Sequence, residues 1–189
     1  RIFSAGERPP RVLFITSRFT TVLQHVIRSL SDAFAQAGCP VRTLIEGRDA
    51  ERLSGEEIVA AVAGHKPDLV VQLDHTRPEL GDLLPDRIPF ACWIQDRLPK
   101  LFKPEFISKL KRNDLTFAMW PGIRADCLAA GYKEVWMLPA AADTATYAKP
   151  DRMRPEYACD VAFVSNISAP TPEARYPGLV ERAVETMTA

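Results

Sequence analysis

Apolar residues recur along this chain in two patterns. The first is continuous and brief: Arg11-Val-Leu-Phe-Ile-Thr16, Leu69-Val-Val-Gln-Leu73, Phe90-Ala-Cys-Trp-Ile-Gln95 and Leu115-Thr-Phe-Ala-Met-Trp120. A strand buried on both faces has no polar side to show, so such runs predict parallel strands covered by helices. Val41-Arg-Thr-Leu-Ile45, which is less apolar, and Glu134-Val-Trp-Met-Leu138 predict two more strands. The second pattern has helical spacing. Val22, Val26, Leu30 and Phe34, joined by Leu23 and Ile27, form one stripe. Thr21 with Gln24 fits a capping box at its start, and Gly38 fits a stop at its end. Ser54 with Glu57 predicts a second capped helix, packed through Ile58, Val59 and Val62 and ending at Gly64. A short helix or turn is predicted at 78–84, and helices at 104–111 and 123–130, the last stopped by Gly131.

Strands and helices thus alternate at short spacing, the signature of a doubly wound α/β fold, a Rossmann-like parallel sheet of about six strands. The expected strand order is 3-2-1-4-5-6. Residues 1–10 read as a tail, 11–148 as the Rossmann-like domain and 149–159 as a Pro- and Ala-rich linker. Residues 160–165 then predict a seventh strand and 173–188 a helix, the first βα unit of a second domain. A lone βα unit cannot bury both faces of its strand. It would lean on the first domain or on another copy of the chain, which makes a homo-oligomer an open expectation.

Composition narrows the function classes. Among 189 residues, 24 Lys and Arg balance 24 Asp and Glu, so no global charge argues for nucleic acid or an anionic membrane. No apolar run approaches the ~20 residues of a membrane span, and the first residues do not read as a signal peptide. Cys39, Cys92, Cys127 and Cys159 are widely spaced and lack clustered His, which argues for buried free thiols rather than a metal site. Free thiols suit a reducing compartment, hence a cytoplasmic expectation.

Candidate chemistry sits at predicted strand ends, where open α/β sheets bind their ligands. The loop after the first strand, Thr16-Ser-Arg-Phe-Thr-Thr21, holds no glycine. Neither a G-x-G-x-x-G fingerprint nor a P-loop is present, which disfavours a nicotinamide or nucleotide site here. Ser17, Arg18 and Thr20 could bind a small polar ligand at the helix start, or simply cap it. Asp96 ends the 90–95 strand as a candidate general base; the competing reading pairs it with Arg97 or makes it a turn cap. Asp74 and His75 end the neighbouring strand, and His75 is a second base candidate. His25 reads as a solvated helix position. From 97 to 112 the chain is locally basic, with Lys100 among the cations, and a solvated face is the default. Trp93, Trp120 and Trp136 fall in predicted strands, so core packing accounts for them.

Four segments carry a family resemblance: Lys66-Pro-Asp-Leu-Val-Val71, Ile88-Pro-Phe-Ala-Cys-Trp-Ile-Gln-Asp96, Trp136-Met-Leu-Pro-Ala-Ala-Ala-Asp143 and Cys159-Asp-Val-Ala-Phe-Val-Ser-Asn166. In this order they resemble the spore-maturation, CgeB-like glycosyltransferases of the two-domain GT-B group, with Ser165 where that family has glycine. The resemblance implies transfer of a sugar from a nucleotide-sugar donor to a hydroxyl acceptor, without a further cofactor or metal. It implies that 11–148 is the acceptor half and that the donor-binding domain lies largely beyond Ala189. Asp96 and His75 would then be catalytic candidates, with Ser17, Arg18, Thr20, Asp74 and Arg97 on the acceptor side. The rival expectation is a non-catalytic Rossmann-like module that binds a partner protein or small ligand through the same crevice.

Overall fold

The computed structural model describes residues 8–18, 21–48, 51–144 and Pro155. The chain divides into two compact units, Arg1–Tyr147 and Ala148–Ala189. The expected linker apart from Pro155, the 160–165 strand, the 173–188 helix and Thr20 lie outside the described residues.

The first unit is an α/β domain with a six-stranded, all-parallel sheet. Its strands are β1 (Val12–Thr16), β2 (Val41–Ile45), β3 (Leu69–Leu73), β4 (Phe90–Ile94), β5 (Asp114–Ala118) and β6 (Trp136–Met137). The longer helices are α1 (Thr21–Gln36) and α2 (Gly55–His65); α3 (Pro104–Ile107) is a single turn, and α4 (Pro121–Ala130) precedes β6. Helix α3 is shorter than the sequence predicts, and a 3-10 turn at Pro99–Phe102 precedes it. Two further 3-10 turns, Arg77–Glu79 and Gly81–Leu83, occupy the segment expected to be a short helix or turn.

The strand order is 2-1-3-4-5-6, which corrects the expected 3-2-1-4-5-6. The reason lies in the strands themselves. All five residues of β1, β3 and β4 are buried, whereas Arg42 and Thr43 of β2 are exposed. An edge strand tolerates polar side chains and an interior one does not, so β2 sits at the margin and β3 takes the place beside β1.

Both sheet faces are covered. On one, Ile27 of α1 packs with Val12, Phe14, Leu69, Val71 and Trp93, and Phe14 meets Phe34 edge-on with ring centroids 5.6 Å apart. On the other, Ile58 and Val62 of α2 and Ile123 and Cys127 of α4 pack on Leu13, Ile15, Val70 and Ile94. Helix α2 starts with the expected capping box: Ser54 Oγ accepts the Glu57 N–H, and the Glu57 carboxylate accepts the Ser54 N–H. Gly131 ends α4 at φ 108°, a left-handed conformation that suits glycine. Among the described residues no helix is long and apolar enough to cross a membrane.

The tryptophans part company. Trp93 is buried, and its indole N–H donates to the Leu138 carbonyl at 2.9 Å. Trp120 and Trp136 are about two-fifths exposed, at 40% and 41%, which corrects their expected place in the core. Strand β6 is an edge strand of two residues, and Trp120 lies past the end of β5, so neither is sandwiched between helices.

Candidate functional site

The chain steps from β1 to β2 on one side and then crosses back to β3 on the other, so the connections diverge between β1 and β3. At such a switch point the loops at the strand carboxyl ends separate and leave a crevice. A cleft of about 130 Å³ lies there. Thr16 and Ser17 come to it from β1, Glu46 from the end of β2, and Gln72 and His75 from β3. Ile15, Leu23, Leu53, Ile58 and Leu80 supply much of the remaining wall.

His75 is the best-placed reactive group. Its Nδ1 lies 2.8 Å from Glu79 Oε2 and 3.0 Å from Lys100 Nζ, and Lys100 and Glu79 are themselves paired at 2.7 Å. One ring nitrogen makes only one of these hydrogen bonds at a time. When Nδ1–H donates to Glu79, Nε2 holds a lone pair and can act as a base. When Nδ1 accepts from Lys100, Nε2 carries the proton and can act as an acid. Burial pushes the Glu79 carboxyl up, but hydrogen bonds from His75 and Lys100 outweigh it and hold the group down at about 2. Glu79 is therefore a fixed anion beside the imidazole. The His75–Glu79 spacing of four residues was available in the sequence but was not singled out; Lys100 arrives from 25 residues away.

Asp74 is not a ligand-facing carboxylate. It is 2% exposed and sits at φ 54°, a left-handed conformation that Asp tolerates better than most residues. Its Oδ1 accepts the backbone N–H groups of Gln95 at 2.7 Å and Asp96 at 3.0 Å. Burial raises its pKa, against these two hydrogen bonds. Asp74 thus pins the end of β4 to the end of β3, a positioning role that departs from the expected contact with an acceptor.

Asp96 shares that sheet edge but is exposed and does not line the cleft. The expected alternative, an Asp96–Arg97 pair, is replaced by Arg97 with Asp126 of α4 at 2.8 Å. Arg18 is also engaged internally: its backbone N–H donates to Glu46 Oε2 at 2.7 Å, and its Nε donates to the Glu46 carbonyl oxygen. Glu46, 9% exposed, escaped the sequence reading because nothing in its neighbourhood marks a strand-end carboxylate as buried. Ser17 lies on the cleft wall as expected, and His25 is exposed on α1.

Cysteine chemistry has no foothold at the site. Cys92 and Cys127 are buried free thiols, and burial pushes both up, Cys127 to about 11. Among the described residues no group of three or more His, Cys, Asp or Glu side chains is placed to hold a metal ion. Compared with known proteins, the chain matches no family model and no curated protein.

Proposed function

We propose that this chain is the acceptor-side domain of a two-domain glycosyltransferase of the GT-B group, with His75 as the base that activates the acceptor hydroxyl. The observation that carries this reading is His75 on the wall of the switch-point cleft, its Nδ1 against an ionised Glu79. The four ordered segments that resemble the CgeB-like family support it, and two of them end at β4 and after β6.

In this reading the acceptor hydroxyl lies at the cleft mouth and attacks the anomeric carbon of the donor sugar. Its proton passes to His75 Nε2, the carbon–oxygen bond to the diphosphate breaks, and the diphosphate leaves with the electron pair. Glu79 stabilises the imidazolium that forms and fixes the ring's orientation, as the third member of a nucleophile–base–orienter set. The glycine-free loop after β1 leaves the diphosphate to the second domain, because its side chains keep a pyrophosphate from the backbone.

Two measurements test the proposal. The complete polypeptide carrying this chain is expected to transfer sugar from a nucleotide-sugar to a hydroxyl acceptor, and the 189-residue chain alone is not. Calorimetric titration of that chain with nucleoside diphosphates should find only weak binding. A low-micromolar dissociation constant, about −8 kcal/mol, would place a nucleotide site in this domain and overturn the division of labour. Absence of transfer by the complete polypeptide across a broad donor panel would favour the binding-module reading.

A further inference from the structure

In an open parallel sheet, the backbone N–H groups between the first strand and its helix are where an anion is received. Here the protein's own carboxylate has taken one of them: the Arg18 N–H donates to Glu46 Oε2 at 2.7 Å. The Arg18 guanidinium is engaged as well, since its Nε donates to the Glu46 carbonyl oxygen. Glu46 follows β2, lines the cleft and is 9% exposed. Its second carboxylate oxygen, Oε1, has no hydrogen-bond partner among the described residues. Nor is it sealed off. The one fully buried side-chain oxygen without a partner among those residues is Gln72 Oε1, so Glu46 Oε1 keeps contact with solvent.

The charge around this oxygen has one sign. Among the described residues no Lys or Arg lines the cleft, and Lys100, which contacts His75 Nδ1, is paired with Glu79 at 2.7 Å. A carboxylate largely withdrawn from water draws hydrogen-bond donors and repels a second anion. Thr16, Ser17 and His75 bring further polar groups to the same wall. The cleft therefore suits a ligand with several donors and no negative charge.

We propose that this cleft receives a sugar or sugar-like polyol carrying no phosphate or carboxylate, one of whose hydroxyl or amino groups donates to Glu46 Oε1. This deepens the transferase reading and rests on it for the ligand's role: the acceptor is a neutral or amino sugar rather than a phosphorylated or acidic one. Glu46 holds one donor group of the acceptor, and the reacting hydroxyl stands beside His75. Glu46 is a specificity-determining residue here and takes no proton in the reaction.

The test titrates a panel of neutral hexoses, their 2-amino forms, their 6-phosphates and inorganic phosphate into the ¹⁵N-labelled chain. The backbone amide of Arg18 is the reporter, because its N–H is bonded to Glu46. Neutral and amino sugars are expected to shift it, and inorganic phosphate is expected to leave it unmoved. The best amino sugar should bind at least about ten-fold more tightly than its 6-phosphate counterpart. Glu46→Gln keeps an oxygen for the Arg18 N–H and removes the charge, so that ratio should fall to about one. Equal or tighter binding of the phosphorylated forms by the native chain would overturn the proposal. So would a ratio unchanged by Glu46→Gln, or no response to any member of the panel. If Glu46→Gln fails to fold, salt decides on the native chain: the ratio should shrink as salt rises from about 0.01 to 1 M, and a constant ratio would overturn the charge assignment. Sugar binding with no transfer by the complete polypeptide would sink the transferase reading and leave the Glu46 assignment standing. Transfer confined to phosphorylated acceptors would do the reverse.

Discussion

Asp74 holds the backbone of Asp96: its Oδ1 accepts the Asp96 N–H at 3.0 Å while also accepting that of Gln95 at 2.7 Å. A carboxylate at the end of one strand thereby sets the path of the chain leaving the next. His75, on the cleft wall, directly follows Asp74, so its backbone is held beside a buried carboxylate that ties the ends of two strands together.

Asp74→Ala should be severely destabilising. It leaves two backbone donors unpaired and places a Cβ without a polar head at φ 54°. A loss of about 2–4 kcal/mol in urea unfolding is expected, whereas Asp74→Asn, which still accepts through Oδ1 and tolerates the left-handed region, should lose less than about 1 kcal/mol. The pH dependence has a definite sign. The folded-state pKa of Asp74 is raised, so its contribution is fully present below the unfolded carboxylate value and is lost as pH rises through the folded one. The Asp74→Asn profile should lack that fall, so the native-minus-variant difference curve should isolate it.

Glu79 behaves in the opposite sense. Its folded pKa is lowered from 4.5 to about 2, so it stabilises the fold above the unfolded value and loses that contribution as pH falls through the folded one. Glu79→Gln should flatten the acid limb of the stability profile between about pH 4.5 and pH 2. Urea midpoints collected across that window check it, and an acid limb as steep as the native one would show that the His75–Glu79–Lys100 set contributes nothing to acid stability.

His75→Asn in the complete polypeptide should lower kcat by about 10²–10⁴-fold with little change in KM or in the melting transition, because a base acts in the transition state. Asp96→Asn should change kcat by less than about ten-fold, since Asp96 is exposed and does not line the cleft. The reverse ranking in single-turnover rates would return the base role to Asp96.

Arg77 and Asp114 form an ion pair at 2.6 Å with side chains only 3% and 4% exposed. Arg77 also donates to the carbonyls of Pro85 and Ile88 and stands 5.7 Å from the Phe90 ring, while Asp114 Oδ2 accepts the Lys111 N–H. Arg77→Met strands the Asp114 carboxylate and should cost about 3–5 kcal/mol, as should Asp114→Leu through the stranded guanidinium. The double variant should cost clearly less than the sum, which a double-mutant cycle by chemical unfolding measures directly.

Much of the domain was legible before the structure. Buried strands announce themselves because two covered faces require uninterrupted apolar residues, and β1, β3 and β4 are such runs. The α2 start was legible because a capping box is local, with both partners within three residues of each other. So was the end of the sheet at which the candidate cleft lies, since parallel strands fix which end opens on the loops. Tertiary structure alone decided the rest. Strand order depends on pairing between segments far apart in sequence; the polar Arg42 and Thr43 hinted at an edge, yet only the assembled sheet put β3 beside β1. The same holds for the residues that make His75 a base candidate and Asp74 a clamp. Lys100 reaches His75 across 25 positions, Asp74 reaches Gln95 across 21, and Arg77 reaches Asp114 across 37. A side chain's local sequence specifies its own backbone conformation, but its charge partners and its burial are supplied by segments that meet it only once the sheet has formed.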